Sequence, residues 1–190
     1  MSKKAPVKLT PWIIEHFDGF FSTAEMDQLF MSVNTPSVYS FMGKSNPDDA
    51  FGFWLAKLDG DIVQGIPAFK DLWEKIDKHF NRGKYRTYQM IINANTYGDC
   101  TTIHTDIDPE NADKDGYYTI LCYANNYWEP NWAGETVLYN QARDDIIKSI
   151  YPRPGRIAVF DSRIPHASRA VSRLCDKVRY TIAIKLVKKE

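Results

Sequence analysis

The feature that most constrains the fold of this chain is a change in the spacing of its apolar residues at Gly83. Before Gly83 the apolar residues recur at helical spacing, whereas after it they alternate with polar residues, which is typical of strands. Helices followed by many short strands indicate a mainly β fold with flanking helices (α+β). We predict a double-stranded β-helix, the jelly roll of cupins, with the N-terminal helices packed on one sheet. Strands are predicted near 88–95 and at 117–125, 134–140, 156–160 and 179–187.

Two helices are predicted before Gly83. Ser22 and Glu25 have the spacing of a capping box and precede an apolar stripe. Pro67 suits the first turn of a second helix, and Gly83 suits the position after its end. The two stripes consist of Met26, Leu29, Phe30 and Val33, and of Phe69, Leu72, Trp73, Ile76 and Phe80.

The segment 35–60 between these helices combines turn residues with aromatic fragments. A hairpin packed on the core and a mobile flap over a pocket both fit this pattern, and we favour the hairpin. A chain of 190 residues has the size of one domain. We therefore expect a single domain over 1–190, with a helical N-terminal part at 1–84 and a β-helix core at 85–187.

Composition argues against several kinds of partner. Lys plus Arg and Asp plus Glu number 24 each, so no net charge draws the chain to nucleic acid or anionic lipid. The N-terminus has no apolar signal segment, and no run approaches the roughly 18 apolar residues of a membrane span. The three cysteines follow neither zinc nor disulfide spacing, which fits a reducing compartment. We expect a cytoplasmic protein with no membrane or nucleic-acid partner.

His104, Asp106 and His166 have the spacing of a metal site. A His-x-Asp after one strand and a second His at the start of another form the linear pattern of a two-histidine, one-carboxylate facial triad. Such a triad suits ferrous iron and leaves one face of the octahedron open for a chelating cosubstrate and dioxygen. His-x-Asp is also compatible with a turn in which the carboxylate caps a backbone amide. His16 and His79 lack ligand partners at such spacing, and we interpret them as surface or boundary residues.

The last predicted strand offers a partner for an acidic cosubstrate. Period two places Arg179, Thr181 and Ala183 on one face, which leaves a gap beneath an arginine. A guanidinium at the floor of such a gap would bind a carboxylate through two hydrogen bonds. The alternative is an exposed arginine at a strand end.

Three further residues are candidates for the same pocket. Thr119 and Tyr123 share one face of the strand 117–125, so either can contribute a hydroxyl group to a cosubstrate site. Tyr97, near the end of the preceding strand, is a candidate for the pocket wall.

In order and spacing, the motifs from about residue 85 to 187 resemble those of the iron(II)- and 2-oxoglutarate-dependent oxygenases, and among them the prolyl-4-hydroxylase-like branch. The matching motifs are Tyr97-Gly98, His104-x-Asp106, Tyr123-Ala124-Asn125, Gly134-Glu135-Thr136, Pro154-Gly155-Arg156, Val159-Phe160-Asp161-Ser162, Pro165-His166 and Arg179-Tyr180-Thr181-Ile182.

The resemblance implies specific roles for these residues. His104, Asp106 and His166 resemble the iron ligands, Arg179 the residue that binds the distal carboxylate of 2-oxoglutarate, and Tyr123 its hydrogen-bonding companion. The implied cofactors are Fe(II), 2-oxoglutarate as cosubstrate and O2, with ascorbate as an accessory reductant.

Two positions depart from the family pattern. Arg179 lies slightly further after His166 than is usual, so Arg169 and Arg173 are rivals for its role. We favour Arg179 because only it opens a strand with the Tyr-Thr-Ile pattern. Ala133 stands where the family has the first glycine of Gly-Gly-Glu-Thr.

The resemblance implies hydroxylation of an unactivated C–H bond, at C4 of a prolyl residue in a protein or peptide, with release of succinate and carbon dioxide. The same chemistry on a free amino acid, another side chain or an alkylated nucleobase is a second hypothesis. A non-oxidative, cupin-like metal-binding module is a third, for which Arg179 would have no cosubstrate to bind.

Two groups of residues are candidates for supporting roles. Aromatic residues that either line a groove for an extended, proline-containing segment or pack in the core are Trp54, Tyr127, Trp128 and Trp132. Asp161, Ser162 and Arg163 come just before His166, so one of them is expected to orient a ligand or to contact substrate.

Overall fold

The strands of the computed structural model, which describes residues 8–35, 39–47, 49–81 and 83–189, form two antiparallel sheets. Ten strands occur in these ranges: β1 Ile14–Phe17, β2 Ser40–Gly43, β3 Phe53–Lys57, β4 Tyr85–Asn95, β5 Tyr117–Tyr123, β6 Thr136–Tyr139, β7 Ile146–Ile150, β8 Ile157–Asp161, β9 His166–Ser168 and β10 Arg179–Lys188. The larger sheet has the order β1-β8-β5-β10-β4-β3-β2, and the smaller one the order β7-β6-β9. The predicted jelly roll with helices on one sheet is therefore confirmed.

The helices begin where the sequence predicts, with one addition. α1 spans Thr23–Val33, and the predicted capping box is formed because the Ser22 amide donates to the Glu25 carboxylate at 2.7 Å and the Glu25 amide to the Ser22 hydroxyl. α2 spans Gly60–Gly65 and was not predicted, because Asp59 ahead of it resembles a turn residue but caps the helix by accepting from the Ile62 amide.

The second predicted helix is α3, Pro67–Ile76, which continues as a wider π-helical turn over Asp77–Asn81. Of the residues around its predicted stop, Arg82 lies outside the described residues. Among the helices that the structure describes, none is long and apolar enough to cross a membrane.

The N-terminal part of the chain supplies strands as well as helices. β2 and β3 pair as a hairpin, which is the favoured interpretation of the segment 35–60, and β3 pairs with β4 to join the larger sheet. β1 pairs with β8 at the opposite edge. The description of 1–84 as helical is therefore incomplete. Residues 36–38 and 48 of this segment lie outside the described residues.

β10 lies in the middle of the larger sheet and is buried on both faces along most of its length, which fixes the orientation of its side chains. Tyr180, Ile182, Ile184 and Leu186 pack in the main core with the apolar stripes of α1 and α3. Ala183 faces the smaller sheet, in a second core with Leu121, Tyr123, Leu138 and Phe160. The face of β10 that carries Arg179 is thus turned into the space between the two sheets.

Candidate metal and cosubstrate site

The two histidines of the predicted triad are brought together by backbone pairing. The His104 amide donates to the His166 carbonyl at 3.0 Å, and the His166 amide donates to the His104 carbonyl at 2.8 Å. A pair of antiparallel residues that exchange both hydrogen bonds projects its side chains to the same side of the sheet. The ring centroids are 4.4 Å apart. Residues that are distant in sequence are therefore fixed side by side by the main chain.

Each imidazole is oriented by a backbone carbonyl. His104 Nδ1 lies 2.9 Å from the Thr102 carbonyl, and His166 Nδ1 lies 3.0 Å from the Ile164 carbonyl. A carbonyl accepts only, so each Nδ1 carries a proton and each Nε2 is turned toward Asp106. Burial, followed by the neighbouring His166 ring, lowers the pKa of His104 to about 4. His104 is therefore neutral near pH 7, the form in which imidazole binds a metal.

Asp106 is held at four points. Its carboxylate accepts from the Thr119 hydroxyl at 2.8 Å and lies 2.8 Å from the Lys185 ammonium group. Its amide donates to the Ser162 carbonyl at 2.9 Å, and its carbonyl accepts from the Tyr88 hydroxyl at 2.8 Å. Burial opposes ionisation of Asp106, but the combined effect of His166, Lys185 and His104 holds its pKa well below the ordinary value. The carboxylate is therefore ionised and fixed in direction.

The three side chains have the dimensions of a metal site. His166 Nε2 lies 3.4 Å and His104 Nε2 3.8 Å from the Asp106 carboxylate oxygens, and all potential ligand atoms lie within 4.8 Å of one another. Metal bonds of about 2.1 Å at right angles place neighbouring ligand atoms roughly 3 Å apart, so small side-chain adjustments are enough. Two neutral imidazoles and one carboxylate are the donor set that non-haem ferrous iron prefers.

A cavity of about 130 Å³ joins this triad to Arg179. The lining includes His104, Asp106 and His166 at the metal site and Thr181, Ala183 and Lys185 along β10. Arg179 is 2% exposed, so the structure contradicts the alternative of a surface strand end. Arg169 and Arg173, its rivals from sequence, are exposed and do not line the cavity.

Arg179 is positioned by the motifs on either side of it. The Asn125 side chain accepts from the Tyr180 amide at 2.7 Å and donates to the Val178 carbonyl, which fixes the start of β10. Gly134 packs against the arginine so closely that an added Cβ would lie 2.9 Å from Arg179 Cδ. Ala133 before it has φ 55 and ψ −139, a conformation that favours glycine. The departure from Gly-Gly-Glu-Thr is therefore a site of backbone strain.

Tyr123 and Thr136 lie beside the guanidinium. The Tyr123 hydroxyl donates to Thr136 Oγ1 at 2.8 Å, and Arg179 donates to the same oxygen at 3.2 Å. The Arg179 guanidinium also lies 5.6 Å from the centroid of the Tyr123 ring. Tyr123 therefore lies next to Arg179 but is not part of the cavity lining, and its hydroxyl bonds to Thr136, a lining residue to which sequence reasoning assigned no role of its own.

Several buried polar atoms in the cavity wall have no partner among the described residues. They are Arg179 Nε, Asn95 Nδ2, Asn93 Oδ1 and Ser45 Oγ. A buried donor or acceptor without a partner costs about 1–3 kcal/mol, so such atoms are rare unless a ligand or water completes them. Their presence at one cavity indicates a polar ligand there.

Two sequence-based assignments need correction, and one open alternative is decided. Tyr97 is 67% exposed and does not line the cavity, because the loop after β4 turns its side chain outward. Thr119 hydrogen-bonds to Asp106 and Ser162 and is not part of the cavity lining, so its contact is with the triad. Of the two interpretations of Trp128 and Trp132, the structure supports packing in the core, because both are buried and pack on each other.

Other candidates fall into two groups. Of the residues before His166, Ser162 contacts both Asp106 and Thr119, whereas Asp161 and Arg163 pair with each other. His16 and His79 lie outside the triad, in agreement with the sequence interpretation. Cavity residues that sequence reasoning did not single out are Ser45, Asn93, Asn95, Thr136 and Lys185. Extending the face of Arg179, Thr181 and Ala183 by one more step of period two would have indicated Lys185.

Comparison with known proteins agrees with this geometry. Residues 90–184, half of the chain, match the family model of the 2OG-Fe(II) oxygenase superfamily. The chain belongs to this superfamily. Fe(II), 2-oxoglutarate and O2 are therefore the implied cofactors of this oxygenase, and the two imidazoles, the carboxylate and the Arg179 Nε that has no partner among the described residues fit the first two. A search of curated proteins gave no match.

Solved structures share the fold of this oxygenase. A prolyl hydroxylase from Trichoplax adhaerens, solved with a hypoxia inducible factor peptide fragment, is 22% identical with a TM-score of 0.68, over 92% of this chain and 83% of that one. A Pseudomonas putida prolyl-4-hydroxylase is 15% identical with a TM-score of 0.66, over 94% of both chains. A viral collagen prolyl hydroxylase from Paramecium Bursaria Chlorella virus-1 is 18% identical with a TM-score of 0.59, over 92% and 96%. The double-stranded β-helix of this oxygenase is thus that of the prolyl hydroxylases.

Proposed function

We propose that this oxygenase is an Fe(II)- and 2-oxoglutarate-dependent dioxygenase that hydroxylates C4 of a prolyl residue in a protein or peptide. The observation that carries the proposal is one cavity that contains both the His104, Asp106 and His166 triad and a buried Arg179 with an unpartnered Nε. The 1–190 chain acts in this proposal as a single domain.

Each residue has a defined part in the proposed reaction. Nε2 of His104, Nε2 of His166 and the Asp106 carboxylate hold the iron. Arg179 binds the distal carboxylate of 2-oxoglutarate through charge-assisted hydrogen bonds, supported by Thr136 and Tyr123. Bound iron and 2-oxoglutarate supply oxidative decarboxylation, in which O2 yields succinate, carbon dioxide and a hydroxylated carbon. Ascorbate is proposed as the reductant that keeps the iron ferrous.

The choice of a prolyl substrate rests on structural likeness. Several of the neighbours in fold are prolyl hydroxylases, and one of them was solved with a peptide. The β2–β3 hairpin adds physical support, because Lys44, Ser45 and Phe53 of this hairpin line the cavity. Such a hairpin lies where an extended peptide substrate would reach the cavity.

Succinate formation tests the cosubstrate half of the proposal. The iron-loaded protein is incubated with 2-oxoglutarate as wild type, as Arg179→Ala and as Arg173→Ala, a control in which an exposed arginine is lost. We expect turnover in the wild type and the control, and a large loss in Arg179→Ala. Equal turnover in all three would remove Arg179 from the proposed site, and no succinate in any would favour the non-oxidative metal-binding module.

Mass spectrometry tests the substrate half. Proline-containing peptides from a cell lysate are compared before and after incubation, and we expect the mass of one oxygen atom to be added at prolines, with 4-hydroxyproline after hydrolysis. The addition of oxygen to a free amino acid, another side chain or an alkylated nucleobase would instead select one of the alternative substrates.

A further inference from the structure

The cavity wall carries more positive than negative charge. Among the described residues that line it, three are cationic, Lys44, Arg179 and Lys185, and one is a carboxylate, Asp106. The two positive charges of ferrous iron equal the two negative charges of 2-oxoglutarate. Binding of both therefore leaves the net positive charge of the side chains that line the cavity unchanged. This surplus lies with the two lysines, since Arg179 is assigned to 2-oxoglutarate.

Lys185 is built into the site by the fold. It lies on the same face of β10 as Arg179, Thr181 and Ala183, and its side chain is 17% exposed. The β10–β4 pairing shifts register between Lys185 and Leu186. Such irregularities re-aim side chains beside active sites. Here the shift leaves Tyr88 of β4 without a partner on β10, and Tyr88 and Lys185 both contact Asp106.

The Lys185 ammonium group has unused donor capacity. Of its three N–H donors, the contact recorded among the described residues takes one, to Asp106 Oδ1 at 2.8 Å. A metal ion that shares the Asp106 carboxylate draws its negative charge away from Lys185. The loaded site therefore places a desolvated, undercompensated ammonium group beside the open metal face, where a substrate carbon must lie to react.

Lys44 contributes less to this surplus. It is exposed and donates to the Pro47 carbonyl at 3.5 Å, and the Asp49 carboxylate of the same hairpin accepts from the Ser45 and Asn46 amides and the Thr102 hydroxyl. Glu135 exerts an electrostatic effect on Arg179 from outside the cavity lining. Neither carboxylate contacts Lys185.

We propose that the substrate presents a carboxylate group close to the carbon that is hydroxylated, and that Lys185 binds this carboxylate. The inference rests on the proposed function and narrows its substrate class. In a peptide, the carboxylate belongs either to an acidic side chain next to the target residue or to the C-terminus of the target residue itself. An uncharged peptide around the target residue leaves the ammonium group unsatisfied.

Matched pairs of small probes test the proposal. N-acetylproline is compared with N-acetylprolinamide for a C-terminal carboxylate, and N-acetyl-Pro-Asp-amide with N-acetyl-Pro-Asn-amide for an acidic side chain. Calorimetry measures their Kd for protein saturated with Mn²⁺ and 2-oxoglutarate, with bound metal quantified in each sample. We expect at least one carboxylate probe to bind about tenfold more tightly than its neutral partner, the range of one charge-assisted hydrogen bond.

Variants assign the preference to Lys185. In Lys185→Met and Lys185→Gln we expect the neutral and the carboxylate probe of each pair to bind with about the same Kd. Glutamine can still donate to Asp106, so Lys185→Gln removes the charge but keeps that hydrogen bond. In Lys185→Arg we expect the carboxylate probe to keep its tighter binding. Lys70→Met, which removes an exposed lysine of α3, is expected to keep the wild-type ratio.

Two results would overturn the proposal. One is a wild type in which neither carboxylate probe binds more tightly than its neutral partner, including the case in which no probe binds. The other is an unchanged preference in the neutral Lys185 variants. Succinate formation by the iron-loaded wild type separates these failures from a failure of the proposed function, because 2-oxoglutarate turnover without a carboxylate preference refutes only the role of Lys185.

Discussion

Asp106 and Arg179 line the same cavity, but the protein supplies hydrogen-bond partners for all of the polar groups of Asp106 and for only some of those of Arg179. Asp106 has a partner for its amide, its carbonyl and both carboxylate oxygens. Within the part of the chain that the structure describes, Arg179 Nε and the nearby Asn95 Nδ2 have no hydrogen-bond partner. The comparison indicates that the metal end is preorganised by the protein, whereas the Arg179 end is left for a ligand to complete.

Loss of a triad residue should have the largest effect. His104→Ala removes an imidazole that the chain aligns with His166, so we expect the Kd for Mn²⁺ to rise by at least about a hundredfold and succinate formation to cease. Calorimetry measures the metal affinity. His79→Ala serves as the control, since His79 contacts the Lys75 carbonyl in α3. A wild-type Kd in His104→Ala would contradict the assignment of the metal end.

Loss of the Arg179 guanidinium should weaken the binding of 2-oxoglutarate and leave the binding of the metal nearly unchanged. In Arg179→Met we expect the KM for 2-oxoglutarate to rise by about a hundredfold, equivalent to two charge-assisted hydrogen bonds, while the Kd for Mn²⁺ changes little. Steady-state kinetics and calorimetry measure the two quantities. If the affinity of Arg179→Met for Mn²⁺ fell as much as its affinity for 2-oxoglutarate, the metal site and the Arg179 site would not be independent.

Thr119→Val tests the metal site alone. The hydroxyl group orients Asp106 and Thr119 does not line the cavity, so we expect a rise of about tenfold in the Kd for Mn²⁺ and an unchanged KM for 2-oxoglutarate. The opposite pattern, with weaker 2-oxoglutarate binding and normal metal affinity, would restore the role that the sequence suggested for Thr119.

The smallest effect concerns the strained turn at the Arg179 end. Ala133→Gly relieves an unfavourable backbone conformation, and we expect an increase of about 1 kcal/mol in the free energy of unfolding, measured by urea denaturation. Ala112→Gly is the matched control, because Ala112 has φ −58 and glycine there should lower stability. A destabilised Ala133→Gly protein would mean that the Ala133 methyl group contributes more packing energy than its conformation costs.

The fold was largely predictable because its signals are local. Alternation along β10 predicts which side chains enter the main core, and the capping box of α1 needs only Ser22 and Glu25. β7 was missed because four of its five residues are not buried, so its sequence lacks the alternation of a half-buried strand. α2 was missed because an aspartate before glycine fits a turn and a helix cap equally well.

The candidate site was predictable only where a residue type is specific to its chemistry. Two histidines and an aspartate at this spacing indicate a metal, and an arginine opening a strand indicates an anion. Thr119 and Tyr97 have no such specificity, because their surroundings depend on the directions of the loops that carry Asp106 and Tyr97. These are tertiary features, and a single sequence does not encode them in any local pattern.

The account rests most directly on where the iron binds. A crystal structure from anaerobic crystals grown with Fe(II) and 2-oxoglutarate, with anomalous scattering recorded at the iron edge, would locate the metal and its cosubstrate. We predict one iron bonded to His104 Nε2, Asp106 and His166 Nε2 at about 2.1 Å, and a carboxylate of 2-oxoglutarate within hydrogen-bonding distance of Arg179. An iron bound elsewhere, or a 2-oxoglutarate that leaves Arg179 without a contact, would contradict the account.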